Sequence, residues 1–182
     1  MRWGRTLRRL ADVAPDANPP DLAADPDDDE ARLAAIARRL AEEVDAVVPA
    51  WVERLVVTRV EQWRGDVPPA VAADASAAGA AAGAEVRTRL RALLEADIDD
   101  QRAGPLEVLR AATRHAHDVL AALGMPPVVR DEFAERSFPD DAYDLMPATW
   151  SDVDPALHEP GIAWGAAKAF VHKARRRAEG MG

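Results

Sequence analysis

The stretch LEVLRAATRHAHDVLAAL, residues 106–123, carries the clearest structural pattern in the chain. Its apolar side chains recur every three or four residues, which places them on one face of an α-helix. They are Val108, Leu109, Ala112, Ala116, Val119, Leu120 and Leu123. Gly124 follows at the position where helices commonly end, and Pro126 and Pro127 come next. The pattern predicts an amphipathic helix with one face on a protein core.

Upstream of this stretch, residues 69–98 predict a second helix that is very rich in alanine at its start. Gly79 and Gly83 lie four residues apart among these alanines, and so share one face of the helix. We expect this smooth face to pack closely against a helix that carries tryptophan. The turn at residues 65–69 makes the preceding helix an antiparallel neighbour.

That preceding helix begins near residue 30 and carries an apolar series through Leu40, Val44 and Val48 to Trp63. Asp28 or Asp29 is well suited to cap its start. Pro49 interrupts the series, because proline removes a helical hydrogen bond and clashes with the preceding turn. The sequence therefore predicts a kink or a fresh helix start at Pro49.

The C-terminal third differs in composition from the helical stretches before it. Residues 138–160 contain four prolines together with Tyr143 and Trp150, which predicts an irregular segment with one helical turn near Trp150. A last helix is expected from about residue 160 to 177. Its expected apolar positions are Ala163, Trp164, Ala167, Phe170, Val171 and Ala174.

Composition agrees with a helical protein. The chain has 182 residues, of which 40 are alanine and none is cysteine. Without cysteine, disulfides, thiolate zinc sites and cysteine nucleophiles are excluded. The predicted fold is all-α, a bundle of four main helices with short extra helices and an irregular segment near 138–160 that contains proline and tryptophan. Residues 30–182 are expected to form a single helical domain.

Residues 1–29 are set apart by charge. Four arginines make the first ten residues strongly basic, whereas residues 11–30 contain eight acidic residues and no basic one. The pattern predicts a short basic amphipathic helix over 3–14, followed by an acidic linker rich in proline. We interpret Trp3, Arg5, Arg8 and Arg9 as an interaction arm. The net charge of −9 disfavours nucleic acid as a partner, and membrane contact through this arm is not favoured either.

Two groups of polar residues carry side chains of the types that bind metal ions. His115 and His117 are two residues apart, so on a helix they point about 200° from each other and do not share a metal ion. The carboxylates of Glu95, Asp97, Asp99 and Asp100 cluster at a helix end but lack the spacing of a calcium loop. No catalytic, metal or cofactor site is predicted.

Five residues of the C-terminal third are predicted to bind a ligand or a protein partner: Tyr143, Trp150, His158, Trp164 and His172. The favoured function is a non-catalytic cytoplasmic protein that acts through protein–protein interaction. The alternative is a small helical enzyme, or a ligand- or metal-binding protein, with a pocket of histidine, tyrosine and carboxylate groups in this third. General acid–base chemistry there requires these side chains to converge within about 3 Å of a reacting atom.

Overall fold

A computed structural model of the protein describes residues 26–95, 104–129, 138 and 141–180. The elements are α1 (Pro26–Arg64), α2 (Pro69–Glu95), α3 (Pro105–Ala122), α4 (Trp150–Val153), a 3-10 turn (Pro155–Leu157) and α5 (His158–Glu179). Four of the helices are substantial, and no strand occurs in these ranges, which confirms the all-α bundle.

Some of the sequence predictions fall beyond this description. The helix over 3–14 and its arm residues lie outside the described residues. The side chains of the acidic cluster at 95–100 lie outside them too. Within the described ranges, no group of three or more histidine or acidic side chains is placed to hold a metal ion.

Helix α1 is the centre of the bundle. Its fully buried residues recur every four positions: Leu40, Val44, Val48, Val52, Val56 and Val60. Four residues turn an α-helix by about 400°, so this row rotates by about 40° at each step. The direction in which α1 buries its side chains therefore changes along the helix, which contacts α2, α3 and α5.

Pro49 does not interrupt α1, which is one continuous helix of 39 residues. The predicted fresh start at Pro49 is therefore wrong. The two helices lie very close together at this proline, because a Cβ atom added at Gly79 would lie 2.3 Å from the Pro49 carbonyl oxygen. A Cβ at Gly83 would lie 2.9 Å from Pro49 Cγ. The expected close contact of the glycine face with a tryptophan-bearing helix is confirmed, and Pro49 is the residue it meets.

Helix α3 follows its prediction closely. Val108, Leu109, Ala112, Ala116 and Leu120 are buried, and Thr113 joins them by donating to the Arg110 carbonyl at 2.7 Å. Gly124 has a φ of +65°, a conformation that glycine adopts readily and that ends the helix. The Met125 amide closes the turn on the Leu120 carbonyl.

Four predicted apolar positions are instead exposed. Trp63, near the end of α1, is 41% exposed, with the Arg64 guanidinium 4.5 Å from its ring centre. In α5, Val171 is buried and Trp164 is half-buried, but Phe170 faces outward with Ala163 and Ala174. Alanine occupies so many positions of α5 that several faces look apolar in sequence. Only packing against α1 selects which one is buried.

The described helices contain no stretch long and apolar enough to cross a membrane.

Candidate functional site

A buried carboxylate organises the irregular stretch of residues 141–149, which we call the anchored segment. Asp141 is fully buried, and its Oδ1 atom lies 2.8 Å from Nε2 of His117 on α3. Its carboxylate also accepts hydrogen bonds from two backbone amides, that of Tyr143 at 3.2 Å and that of Met146 at 2.6 Å. A buried ionised group requires such partners, because desolvation without them is costly.

Tyr143 belongs to the same cluster and points inward. Its hydroxyl donates to the Met125 carbonyl at 3.1 Å, just beyond the end of α3. Its ring meets the His117 ring edge to face, with 5.3 Å between ring centres. A tyrosine that is buried and satisfied in this way acts as a packing residue, and its hydroxyl is already occupied.

Arg110 of α3 holds the other end of the anchored segment. Its Nε donates to the Pro147 carbonyl at 3.0 Å, and a second nitrogen lies 3.4 Å from the Ala148 carbonyl. The same guanidinium pairs with Glu107 and lies 4.7 Å from the ring centre of Phe138. Helix α3 thus supplies two of the polar contacts that tie the segment to the bundle, through His117 and Arg110.

The two predicted tryptophans lie where the chain enters α5. The Trp150 ring covers Gly161 so closely that a Cβ atom there would lie 2.4 Å from Trp150 Cδ2. Trp164 is half-buried against the core, with the Lys168 ammonium 5.1 Å from its ring centre. Both rings therefore serve to attach α5 to the bundle.

The predicted histidines are separate from the Tyr143 cluster. His158 Nδ1 lies 2.9 Å from the Ser151 hydroxyl, and both residues are exposed. A serine beside a histidine is the minimum for a nucleophile and its base. In the part of the chain that the structure describes, however, no carboxylate is bonded to His158. His172 lies on α5, half-buried.

A cleft of about 280 Å³ lies between α1 and the anchored segment. Trp51 and Leu55 form its apolar wall, and Asp144 and Asp152 contribute carboxylates. None of the five predicted site residues lines it. Asp152 is also occupied, because it accepts the amides of Ala148 and Thr149 at 2.9 and 2.7 Å.

A surface ion cluster joins α2 to α3 through Glu85. The carboxylate lies 2.7 Å from His115 Nε2 and 3.1 Å from the Arg114 guanidinium, and Arg89 pairs with it from one turn away. Burial raises the pKa of Glu85, but the hydrogen bond to His115 and the charges of Arg89 and Arg114 outweigh it. The pKa is consequently lowered from 4.5. His115 and His117 thus have different partners, as their spacing predicts.

The outward side of α5 exposes apolar side chains. Of its 22 residues only Pro160, Gly161 and Val171 are buried. On the opposite side, Ile162 is 53% exposed and Phe170 is 39% exposed. Ala163, Ala166 and Ala169 lie between them and are exposed as well. We call these five residues the outer face of α5.

Sequence reasoning missed the residues that organise the anchored segment, Asp141, His117 and Arg110. One local signal exists, because aspartate often accepts the amide of the residue two positions later, as Asp141 does with Tyr143. The contact with His117 spans 24 positions and has no local signal. Comparison of the chain with known protein families, with characterised proteins and with solved structures finds no match.

Proposed function

We propose that this chain is a non-catalytic interaction protein whose binding surface is the outer face of α5. The observation that carries the proposal is the two-sided character of α5. One side attaches to the bundle through Gly161 and Val171, while the other exposes Ile162 and Phe170 two turns apart. Apolar anchors at this spacing are typical of helices that bind another protein along one face.

The placement of the predicted site residues supports a binding role over a catalytic one. Tyr143 is satisfied by Met125, and Trp150 and Trp164 pack against the bundle. The proposal therefore moves the binding surface from these tryptophans to their neighbours on the opposite side of α5. A cytoplasmic location, and a role for the arm at Trp3 to Arg9, remain predictions from the sequence.

The test is a capture experiment with purified full-length protein as bait in an extract of the source organism. Wild type is compared with the double variant Ile162→Glu/Phe170→Glu and with Val129→Glu. Val129 is 96% exposed and lies off α5, so its change controls for the loss of an exposed apolar residue. We expect a bound protein, lost with the double variant and retained with Val129→Glu. Equal capture by all three proteins would refute the proposal.

A further inference from the structure

We infer that the outer face of α5 binds a second copy of the same face, in an antiparallel pair related by a two-fold axis at Ala166. The inference rests on the proposed function, and it names the partner. Its first support is shape, because Ala163, Ala166 and Ala169 form a low surface between Ile162 and Phe170. Small side chains let two helix axes approach to about 8 Å.

The second support is the register that such a pair creates. With Ala166 on the axis, Ile162 lies opposite Phe170 of the second copy, and Phe170 lies opposite its Ile162. The large side chains therefore pair with each other at the two ends of the contact, and Ala163, Ala166 and Ala169 lie opposite alanines of the second copy. This is an isologous contact, in which one surface is complementary to itself.

The third support is charge. In the same register, Glu159 of each copy lies opposite Lys173 of the other, and both residues are exposed. Glu159 also interacts at longer range with Arg39 of α1. A parallel pair would instead place glutamate against glutamate and lysine against lysine, which is unfavourable. Charge therefore selects the antiparallel arrangement.

Charge also disfavours the first ten residues of the chain as the occupant of this face. The first ten residues carry four arginines and no acidic residue. Five of the ten residues 168–177 of α5 are basic: Lys168, Lys173, Arg175, Arg176 and Arg177. Like charges on the two segments would repel each other along much of the helix.

The first experiment is sedimentation velocity on the full chain from about 1 to 500 μM. We expect a monomer–dimer equilibrium, with a dissociation constant at least about tenfold higher for Phe170→Asp and unchanged for Val129→Asp. A wild-type chain that is monomeric over the whole concentration range would overturn the inference. This holds even if a variant that lacks residues 1–25 forms dimers. The capture experiment above needs no self-association, so a monomeric chain would leave the proposed function standing.

The second experiment tests the register. Glu159→Lys and Lys173→Glu should each weaken self-association about tenfold, because each creates two like-charge contacts per dimer. An equimolar mixture of the two variants should recover wild-type association, since every contact then joins opposite charges. Glu61→Lys, at an exposed site of α1, is the charge-matched control. A mixture that associates no better than the single variants would overturn the register.

The third experiment uses the absence of cysteine, which makes any introduced thiol unique. Ala166→Cys should give a disulfide-linked dimer on mild oxidation, because the two thiols meet on the axis. Glu159→Cys should give none, since 14 residues separate the paired positions and place the thiols about 21 Å apart along the helix. Ala77→Cys, exposed on α2, measures random cross-linking. Cross-linking of Glu159→Cys above this background would indicate a parallel pair and overturn the inference.

Discussion

The anchored segment has an irregular backbone but many buried residues, whereas helix α5 has a regular backbone and few buried residues. Residues 141–149 form no helix, yet every second residue from Asp141 to Pro147 is buried. Helix α5 is regular over 22 residues, of which only three are buried.

The reason for the difference is where each region finds its hydrogen bonds. A helix satisfies its own backbone amides and carbonyls, so α5 needs few contacts with the bundle. An irregular segment has no such repeating backbone pairing, so its amides and carbonyls depend on side-chain partners. The anchored segment finds them in the carboxylates of Asp141 and Asp152 and in Arg110. Irregular structure here therefore carries more specific contacts than regular structure.

Within the two regions compared, the largest expected effect comes from removing the buried carboxylate of the anchored segment. Asp141→Asn replaces a carboxylate that accepts three hydrogen bonds by an amide. The NH2 group of this amide would face groups that are themselves hydrogen-bond donors. We expect the free energy of unfolding to fall by about 2–3 kcal/mol in urea titrations. Asp144→Asn is the matched control, because that carboxylate is exposed and asparagine tolerates its φ of 56°. A loss equal to that of the control would mean that Asp141 does not hold the segment.

The next effect tests how α5 is attached. Gly161→Ala places a methyl group where the Trp150 ring lies, and should destabilise the protein by about 1–2 kcal/mol despite the better helix propensity of alanine. Gly165→Ala is the same change one turn later, where nothing lies within 4 Å. It should stabilise by up to about 1 kcal/mol. Thermal unfolding of both variants measures the two stability changes. Changes of the same sign would contradict the close packing of Trp150 on Gly161.

The Glu85 cluster lies at the surface, in contrast to the buried Asp141. Its contribution to the stability of the protein should decrease at low pH. Because the folded state lowers the pKa of Glu85 from 4.5, the ionised form stabilises the protein above that pH. This stabilisation is lost as the pH falls through the lower, folded-state value. Wild type should therefore exceed Glu85→Gln in stability at pH 6, with the difference shrinking toward pH 3 and in high salt. A stability difference that grows as the pH falls would mean that the ionised form of Glu85 does not stabilise the folded protein.

The smallest effect belongs to the outer face of α5. Ile162→Ser and Phe170→Ser, measured at concentrations where the chain is monomeric, should change the free energy of unfolding by no more than about 0.5 kcal/mol. Leu157→Ala, at a fully buried position just before α5, should cost about 2–5 kcal/mol and provides the contrast. A large loss from either serine variant would mean that this face is covered within the monomer.

The sequence predicted the helices but not the site. Helical periodicity located α3 nearly to the residue, and the Gly79 and Gly83 pair predicted a close helix contact. The pocket proposed from Tyr143 and His158 relied on residue type alone, and the structure gives these two residues different partners, Met125 and Ser151. The spacing of His115 and His117 indicated that they would not share a metal ion, but it did not indicate Glu85 or Asp141.

By itself, the sequence determined which stretches are helical, because helix formation depends on residues within four positions of each other. Gly124, Gly104 and the prolines at 69 and 105 mark where those helices begin and end. Only the tertiary structure decided that α1 runs unbroken through Pro49, that Asp141 is buried beside His117, and that Phe170 faces outward. Each of these features depends on residues that are distant in sequence. An alanine-rich helix has several similar faces, and contact with such distant residues determines which face is buried.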